Sequence, residues 1–293
     1  LALRHHVYVM SGRKLTDKWS RRFLRRHPKI ETKSVRGLDP KRARAFSRES
    51  ITHFFELVKM EVVDKGIPPQ NIFNFDEKGI QLGGSRKNIC SKYIFPAGDK
   101  SDNLVLVTVL ECISATGAAC PPGFILPYTH GKVAECLSEN AHRVVTSENG
   151  WTDNTICSDW FKKVFLPWAK TQRDSAFPII FISDGHASHE THEIRLAALD
   201  NSITMISLPP YTTHKLQPLD VGVFAPLQCN WGKRCNELAV TGDEITCDTV
   251  IEEYMAVRKN NMKENIILSA WCHSGLYPYN PNTFTNAYYA PAV

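Results

Sequence analysis

The sequence predicts an α/β protein, a mixed sheet covered by helices and preceded by a small all-α basic head. Three observations carry that reading. From residue 71 onward, short apolar runs of strand length appear first as a meander and then alternate with segments of helical period. The 293 residues, 43% hydrophobic and 22% charged, suffice for one large domain with a smaller appendage. The third observation is charge. Residues 1–50 hold 15 Lys and Arg against 4 Asp and Glu, whereas the remaining 243 residues hold 20 against 26. A formal net charge of +5 therefore hides a basic head on an acidic body. That is the pattern of a polyanion-binding segment joined to a domain whose acids need a cation before they approach phosphate.

The elements follow in order. Thr16 to His27 reads as a helix, with Thr16 as cap, Trp19, Phe23 and Leu24 along one side, and Pro28 as stop. Arg21, Arg22, Arg25 and Arg26 fall mostly on its other faces, either as a solvated surface or as a row of contacts to DNA phosphates. Asp39-Pro40 resembles a cap followed by proline at the first helical position, opening a helix to about Lys65 that Gly66 closes. Phe46, Phe54, Phe55, Val58 and Val62 would face inward. Residues 1–66 thus form the basic helical region, and Pro68-Pro69 marks a boundary before the domain at 70–282.

Five strands are expected there: Asn71–Phe75, Leu104–Leu110, Phe124–Leu126, Pro178–Ser183 and Ile203–Leu208. A turn falls at 115–118. Amphipathic helices are expected over Asn154–Lys170, kinked or cut short by Pro167, over His189–Leu199, and from Leu219 to about Leu238. No run approaches the roughly eighteen apolar residues a membrane span needs. Nine cysteines, none in a Cys-x-x-Cys pair, argue against a disulfide framework and for reduced thiols. The chain opens Leu-Ala-Leu-Arg-His-His, without an initiator Met, as expected of a piece of a longer protein.

Carboxylates carry the chemistry. Ile-Ile-Phe-Ile-Ser (179–183) runs straight into Asp184-Gly185, and Asp220 follows with 35 residues between the two acids. Asp76 ends the run Ile-Phe-Asn-Phe in a similar setting. Side chains alternate along a strand, so Asp76 and Glu77 face opposite ways, and Asn74 shares the face of Asp76. Each acid alone has a plain reading as an Asx-turn or a helix-start acid. Three converging acids describe a site for a hard divalent cation, Mg²⁺ or Mn²⁺, which takes oxygen ligands. Glu77, Glu237 and Asp248 are alternatives for the third ligand. His186, His189 and His214 raise a zinc reading that lacks a fourth ligand, and histidines beside metal ligands are commoner. No phosphate loop, nucleophile elbow or dinucleotide fingerprint is present in the sequence.

Three blocks are familiar as text. Asn-Phe-Asp-Glu-Lys-Gly (74–79), Ser-Asp-Gly-His-Ala-Ser-His (183–189) and Leu-Pro-Pro-Tyr-Thr-Thr-His-Lys-Leu-Gln-Pro-Leu-Asp-Val-Gly-Val-Phe-Ala-Pro-Leu (208–227) resemble the acidic blocks of DDE superfamily endonucleases. The branch they resemble is that of the pogo-like, Tigger and jerky transposases within the mariner group. Gly150-Trp151-Thr152 and Gly275-Leu276-Tyr277-Pro278-Tyr279-Asn280-Pro281 are similar to further landmarks of that branch. Trp19 to Pro28 is similar to the later part of a centromere-protein-B type helix-turn-helix.

The resemblance implies an RNase H-like fold in which Asp76, Asp184 and Asp220 hold two divalent ions. It also implies cutting and strand transfer at transposon ends, a double-stranded DNA partner, no membrane, a possible homodimer and a nuclear location. A truncated helix-turn-helix leaves a second expectation: a domesticated descendant that binds DNA in the nucleus without cutting it.

Overall fold

The computed structural model describes residues 7–9, 12–14, 16–27, 45–82, 105–127, 144–148, 150, 152–186, 189 and 191–289. The chain divides into two compact units, Leu1–Asp39 and Pro40–Val293. In the first, helix α1 (Asp17–Arg26) begins directly after Thr16. Trp19 stacks on Phe23 with ring centroids 5.0 Å apart, and Phe23 meets His27 at 4.4 Å, so residues four apart line one side. Arg22, Arg25 and Arg26 are exposed, and Arg21 lies in the same helix.

The second unit opens with α2 (Arg48–Val58), which continues as a π-helical turn, Lys59–Val63. Asp39 and Pro40, the expected start of this helix, lie outside the described residues. Ser47 caps α2, its hydroxyl accepting from the Ser50 N–H at 3.2 Å. Ile51, Phe54, Phe55 and Val58 are buried in a core shared with Leu219, Val223 and Trp271, all within the second unit.

The sheet has six strands: β1 (Ile72–Gln81), β2 (Leu106–Ser114), β3 (Gly123–Pro127), β4 (Val144–Ser147), β5 (Ile179–Ser183) and β6 (Ile203–Ser207). Their order is β4-β3-β2-β1-β5-β6. β1, β2 and β3 pair antiparallel, whereas β3–β4, β1–β5 and β5–β6 pair parallel. Two expectations need correction. The sheet is not five-stranded: β4 is a short edge strand whose Thr146 and Ser147 dilute the apolar signal, and its parallel pairing with distant Phe124–Pro127 defines it. β1 also does not stop at Phe75. Its ladder with β2 runs on to Gln81, which puts Asp76 inside the strand.

Helices cover both faces. On one lie α3 (Asn154–Trp160), a π-turn (Phe161–Phe165), α4 (Leu166–Gln172) and α5 (His192–Asp200). Pro167 does not break the helical run, because it sits in the first turn of α4, directly after the π-turn. Phe73, Phe75 and Phe181 pack there with Trp160, Phe161 and Phe165. The other face carries α6 (Thr213–Leu216), a π-turn (Leu219–Val223), α7 (Phe224–Thr241), α8 (Val250–Asn261) and α9 (Glu264–Ser274), followed by the short α10 (Asn286–Tyr289). Here Ile72, Ile113, Ile180 and Ile182 meet Leu219, Val223 and Trp271. Glu111 is the one acid of β2 on this face, opposite Asp76 in register. It is fully buried and takes a bidentate pair from Arg258 (Nε–Oε1 2.8 Å, Nη2–Oε2 2.9 Å) and the Tyr254 hydroxyl at 2.8 Å. Among the described residues, no helix is long and apolar enough to cross a membrane.

Candidate active site

Sheet register explains why two of the acids meet. Asn74 lies opposite Ile182 in the parallel β1–β5 pair, so two residues further along both chains stand Asp76 and Asp184. Side chains two apart share a face. Gly185, at φ +74°, then turns the chain away from β5, a conformation that glycine adopts without strain.

Asp220 arrives from a distant part of the chain, and Asn74 ties it down. The fully buried Asn74 donates from Nδ2 to the Ile182 carbonyl at 3.0 Å. Its Oδ1 accepts from the Leu219 N–H at 3.1 Å. One carboxamide thus joins the strand of Asp76, the strand before Asp184 and the turn of Asp220. Gly222 seats that turn against α9, because a Cβ there would lie 2.6 Å from the Ala270 Cβ and 2.9 Å from its Cα. Asp220 stands in the first turn of this π-helical segment, at a helix start as the sequence suggests.

The electrostatics tie the three carboxylates together. The Asp76 carboxyl is pushed well above the usual carboxylate range, first by burial, then by the charge of Asp220 and that of Asp184. The Glu77 N–H, donating to Asp76 Oδ1 at 2.8 Å, and the Gln217 carboxamide oppose that rise.

Asp184 shifts the other way. Burial would raise it, but the hydrogen bond and charge of His189 and the His186 N–H more than compensate and bring it below its ordinary value. Its Oδ1 accepts from the His186 N–H at 2.9 Å, the Asx-turn of the plain reading, and from His189 Nδ1 at 2.7 Å.

His189 is a residue whose role the sequence left open. Its ring is buried edge-on to Phe75 and bridges Asp184 to Glu77, Nε2 lying 2.9 Å from Glu77 Oε1. Burial would lower its pKa, yet the two carboxylates raise it to about 9. An imidazolium clamped between two acids holds Asp184 in place and lowers the cost of its charge. Glu77 faces away from Asp76, as strand alternation requires, and is linked to Asp184 through this ring.

Among the described residues, one group of side chains brings possible metal-ligand atoms close together. Glu77, Cys157 and His189 offer ligand atoms within 4.8 Å of one another. Burial and then the charge of Glu77 push the Cys157 thiol up, so it keeps its proton, and a protonated His189 has no lone pair to give. Within that group His189 and Glu77 are hydrogen-bonded to each other, and the ring supports Asp184. Asp76, Asp184 and Asp220 instead supply oxygens only, and their mutual repulsion on Asp76 is what a hard cation would relieve. The donor set fits such an ion. Of the other acids weighed from sequence, Glu237 pairs with Arg234 at 3.8 Å on α7, and Asp248 is exposed in the loop before α8.

Residues 103–273 match the family model of the DDE superfamily endonucleases. The chain is 27% identical over 226 residues to a protein of Cochliobolus lunatus named MFS-type transporter clz9, covering 73% of this chain and 24% of that one. It is 25% identical over 220 residues to the Jerky protein of Mus musculus, covering 70% of this chain and 36% of that one. It thus spans about a quarter to a third of these relatives' length. The solved mariner Mos1 paired-end complex with Mg superposes with a TM-score of 0.58 at 11% identity, over 99% of this chain and 77% of that one. The shared fold is RNase H-like.

Proposed function

The chain belongs to the DDE superfamily of endonucleases, and from that premise we propose that it is a divalent-metal-dependent DNA endonuclease and strand transferase of transposase type. The observation that carries the reading is that the β1–β5 register sets Asp76 and Asp184 level while Asn74 ties the turn of Asp220 to both strands. Asp76, Asp184 and Asp220 would hold Mg²⁺ or Mn²⁺, two ions in the fullest form of the site. Bound ions of this kind lower the pKa of an attacking water or hydroxyl and stabilise the leaving oxygen of a phosphodiester.

The chain's own residues prepare that site. β1 and β5 hold Asp76 and Asp184 at one level, Asn74 anchors the turn that carries Asp220, and His189 keeps Asp184 ionised and oriented. Double-stranded DNA, as transposon ends and target, is the proposed substrate, with the nucleus as site of action and a homodimer as working form. The basic α1 would supply phosphate contacts.

The test incubates the full chain with DNA carrying its terminal repeats and Mg²⁺ or Mn²⁺. Wild-type protein is expected to cut, chelation of the metal to stop cutting, and Asp184→Ala to leave only background. Equal products from wild type and Asp184→Ala would sink the enzyme reading and leave a non-cutting DNA-binding protein.

The head is tested separately. Neutralising Arg21, Arg22, Arg25 and Arg26 is expected to flatten the slope of log affinity against log salt by about 0.9 for each phosphate the helix no longer neutralises. An unchanged slope would return α1 to a solvated surface helix.

A further inference from the structure

One buried group near the acids has no explanation in the fold. Gln217 lies between α6 and the π-turn of Asp220 and is fully buried. Its main chain is satisfied: the N–H donates to the Thr213 carbonyl at 3.0 Å, and the carbonyl accepts from the Val221 N–H at 2.9 Å. Its side chain is not. Among the described residues, neither Oε1 nor Nε2 meets a partner in full hydrogen-bond geometry.

A buried carboxamide left in this state costs folding free energy, and an apolar side chain of the same length would avoid that cost. Asn74 shows the contrast nearby, since both ends of its carboxamide are bonded. The two amides therefore differ in what completes them. Asn74 is completed by main-chain groups of Ile182 and Leu219, whereas among the described residues neither end of the Gln217 amide is completed in that way.

We propose that Gln217 is a positioning residue for a hydrated divalent cation, its Nε2 donating to the Asp76 carboxylate and its Oε1 accepting from a water of the cation's hydration shell. Several observations support this assignment. Gln217 is fully buried three residues before Asp220, directly ahead of the turn whose Leu219 N–H Asn74 ties to β1. Mg²⁺ and its like dehydrate reluctantly and keep several waters, so a site built from three carboxylates leaves water protons that need acceptors. A neutral amide supplies one without adding a fourth negative charge beside Asp76. The inference rests on the metal-dependent reading above and deepens it, because it assigns the water around the ion as well as the ligands.

The experiment uses the full chain and Mn²⁺ alone, without DNA. Mn²⁺ affinity is measured by titration calorimetry, and the unfolding temperature is measured without metal, for wild type, Gln217→Met and Asp184→Ala. Wild type is expected to bind and Asp184→Ala to lose most of that affinity. Gln217→Met is expected to bind about 10- to 100-fold more weakly, the usual effect of removing a group beside the ligands. Its metal-free unfolding temperature should equal or exceed that of wild type.

Weaker metal binding together with an undiminished fold is a pair of results that a merely structural glutamine does not give. If Gln217→Met binds Mn²⁺ within about twofold of wild type, the role of Gln217 is overturned while the metal site stands. If wild type binds no better than Asp184→Ala, the metal reading itself fails. Should Gln217→Met not fold, Gln217→Glu decides. An extra carboxylate there is expected to lower the metal-free unfolding temperature and enlarge the rise on adding Mn²⁺, and no change in either removes Gln217 from the site.

Discussion

Replacing Asp76 with asparagine is expected to raise the unfolding temperature of the metal-free protein and to abolish metal-dependent cleavage. The two effects have one cause. Burial and the charges of Asp220 and Asp184 make an ionised Asp76 unfavourable in the folded chain without a cation. Asparagine keeps the shape and removes the charge. Each 1 kcal/mol gained would move the midpoint by about 2–4 °C in a domain of this size.

The sign with pH follows. A carboxyl whose folded pKa is raised lends stability through its proton; that contribution is full below the unfolded pKa and lost as pH rises through the folded one. The metal-free wild type should therefore weaken with rising pH more than Asp76→Asn does. His189, raised to about 9, adds to the trend in both proteins, since its pairing is lost as pH rises through that value.

Cleavage responds in the opposite sense to stability. An amide in place of a charged oxygen ligand should cost on the order of 10³-fold or more, which corresponds to about 4 kcal/mol of transition-state stabilisation. Scanning calorimetry without metal and a cleavage assay with it measure the two effects. An Asp76→Asn protein that is less stable than wild type and still cuts would remove Asp76 from the site.

The second large effect concerns the buried pair beside the site. Arg258→Ala is expected to cost about 3–5 kcal/mol of stability, the usual penalty for leaving one partner of a buried ion pair uncompensated. Glu111 is fully buried, and both of its oxygens are occupied by Arg258, with the Tyr254 hydroxyl as third donor. Arg258 also donates from Nη2 to the Cys120 carbonyl at 2.7 Å, so its loss removes that bond as well.

The double variant Glu111→Gln with Arg258→Met should recover much of the loss. It removes the stranded charge while keeping an acceptor for Tyr254. Urea unfolding of the single and double variants gives the coupling directly. A single variant within about 1 kcal/mol of wild type would show that water reaches Glu111 in the folded protein.

Glu111 also shows where sequence reading stopped. It sits in an apolar strand, opposite Asp76 in register, and belongs by position to the face of the acidic site. Nothing local distinguishes it from a ligand. Its partners stand 143 and 147 residues away in α8, and only the packing of that helix on β2 turns it into a structural acid. His189 is similar: its spacing from His186 raised a zinc reading, with a supporting histidine the commoner case, and could not say what it supports. The ring is a support because β1 delivers Glu77 and β5 delivers Asp184 to its two nitrogens, which no spacing within 183–189 encodes.

Alternation along strands and the 3.6-residue period of helices are local properties, and they sufficed for the α/β class, five of the six strands and most helices. They also placed Asp76 and Glu77 on opposite faces. The three acidic blocks were legible because each is a contiguous stretch of chain. Tertiary structure decided the rest: the edge strand β4, the continuation of β1 through Asp76, the tie that Asn74 makes to Ile182 and Leu219, and the burial of Gln217 beside Asp76. Each depends on a partner far along the chain. A side chain's hydrogen bonds and charge state are set by what folding brings within a few ångströms, whereas sequence pattern reports only the face on which it starts.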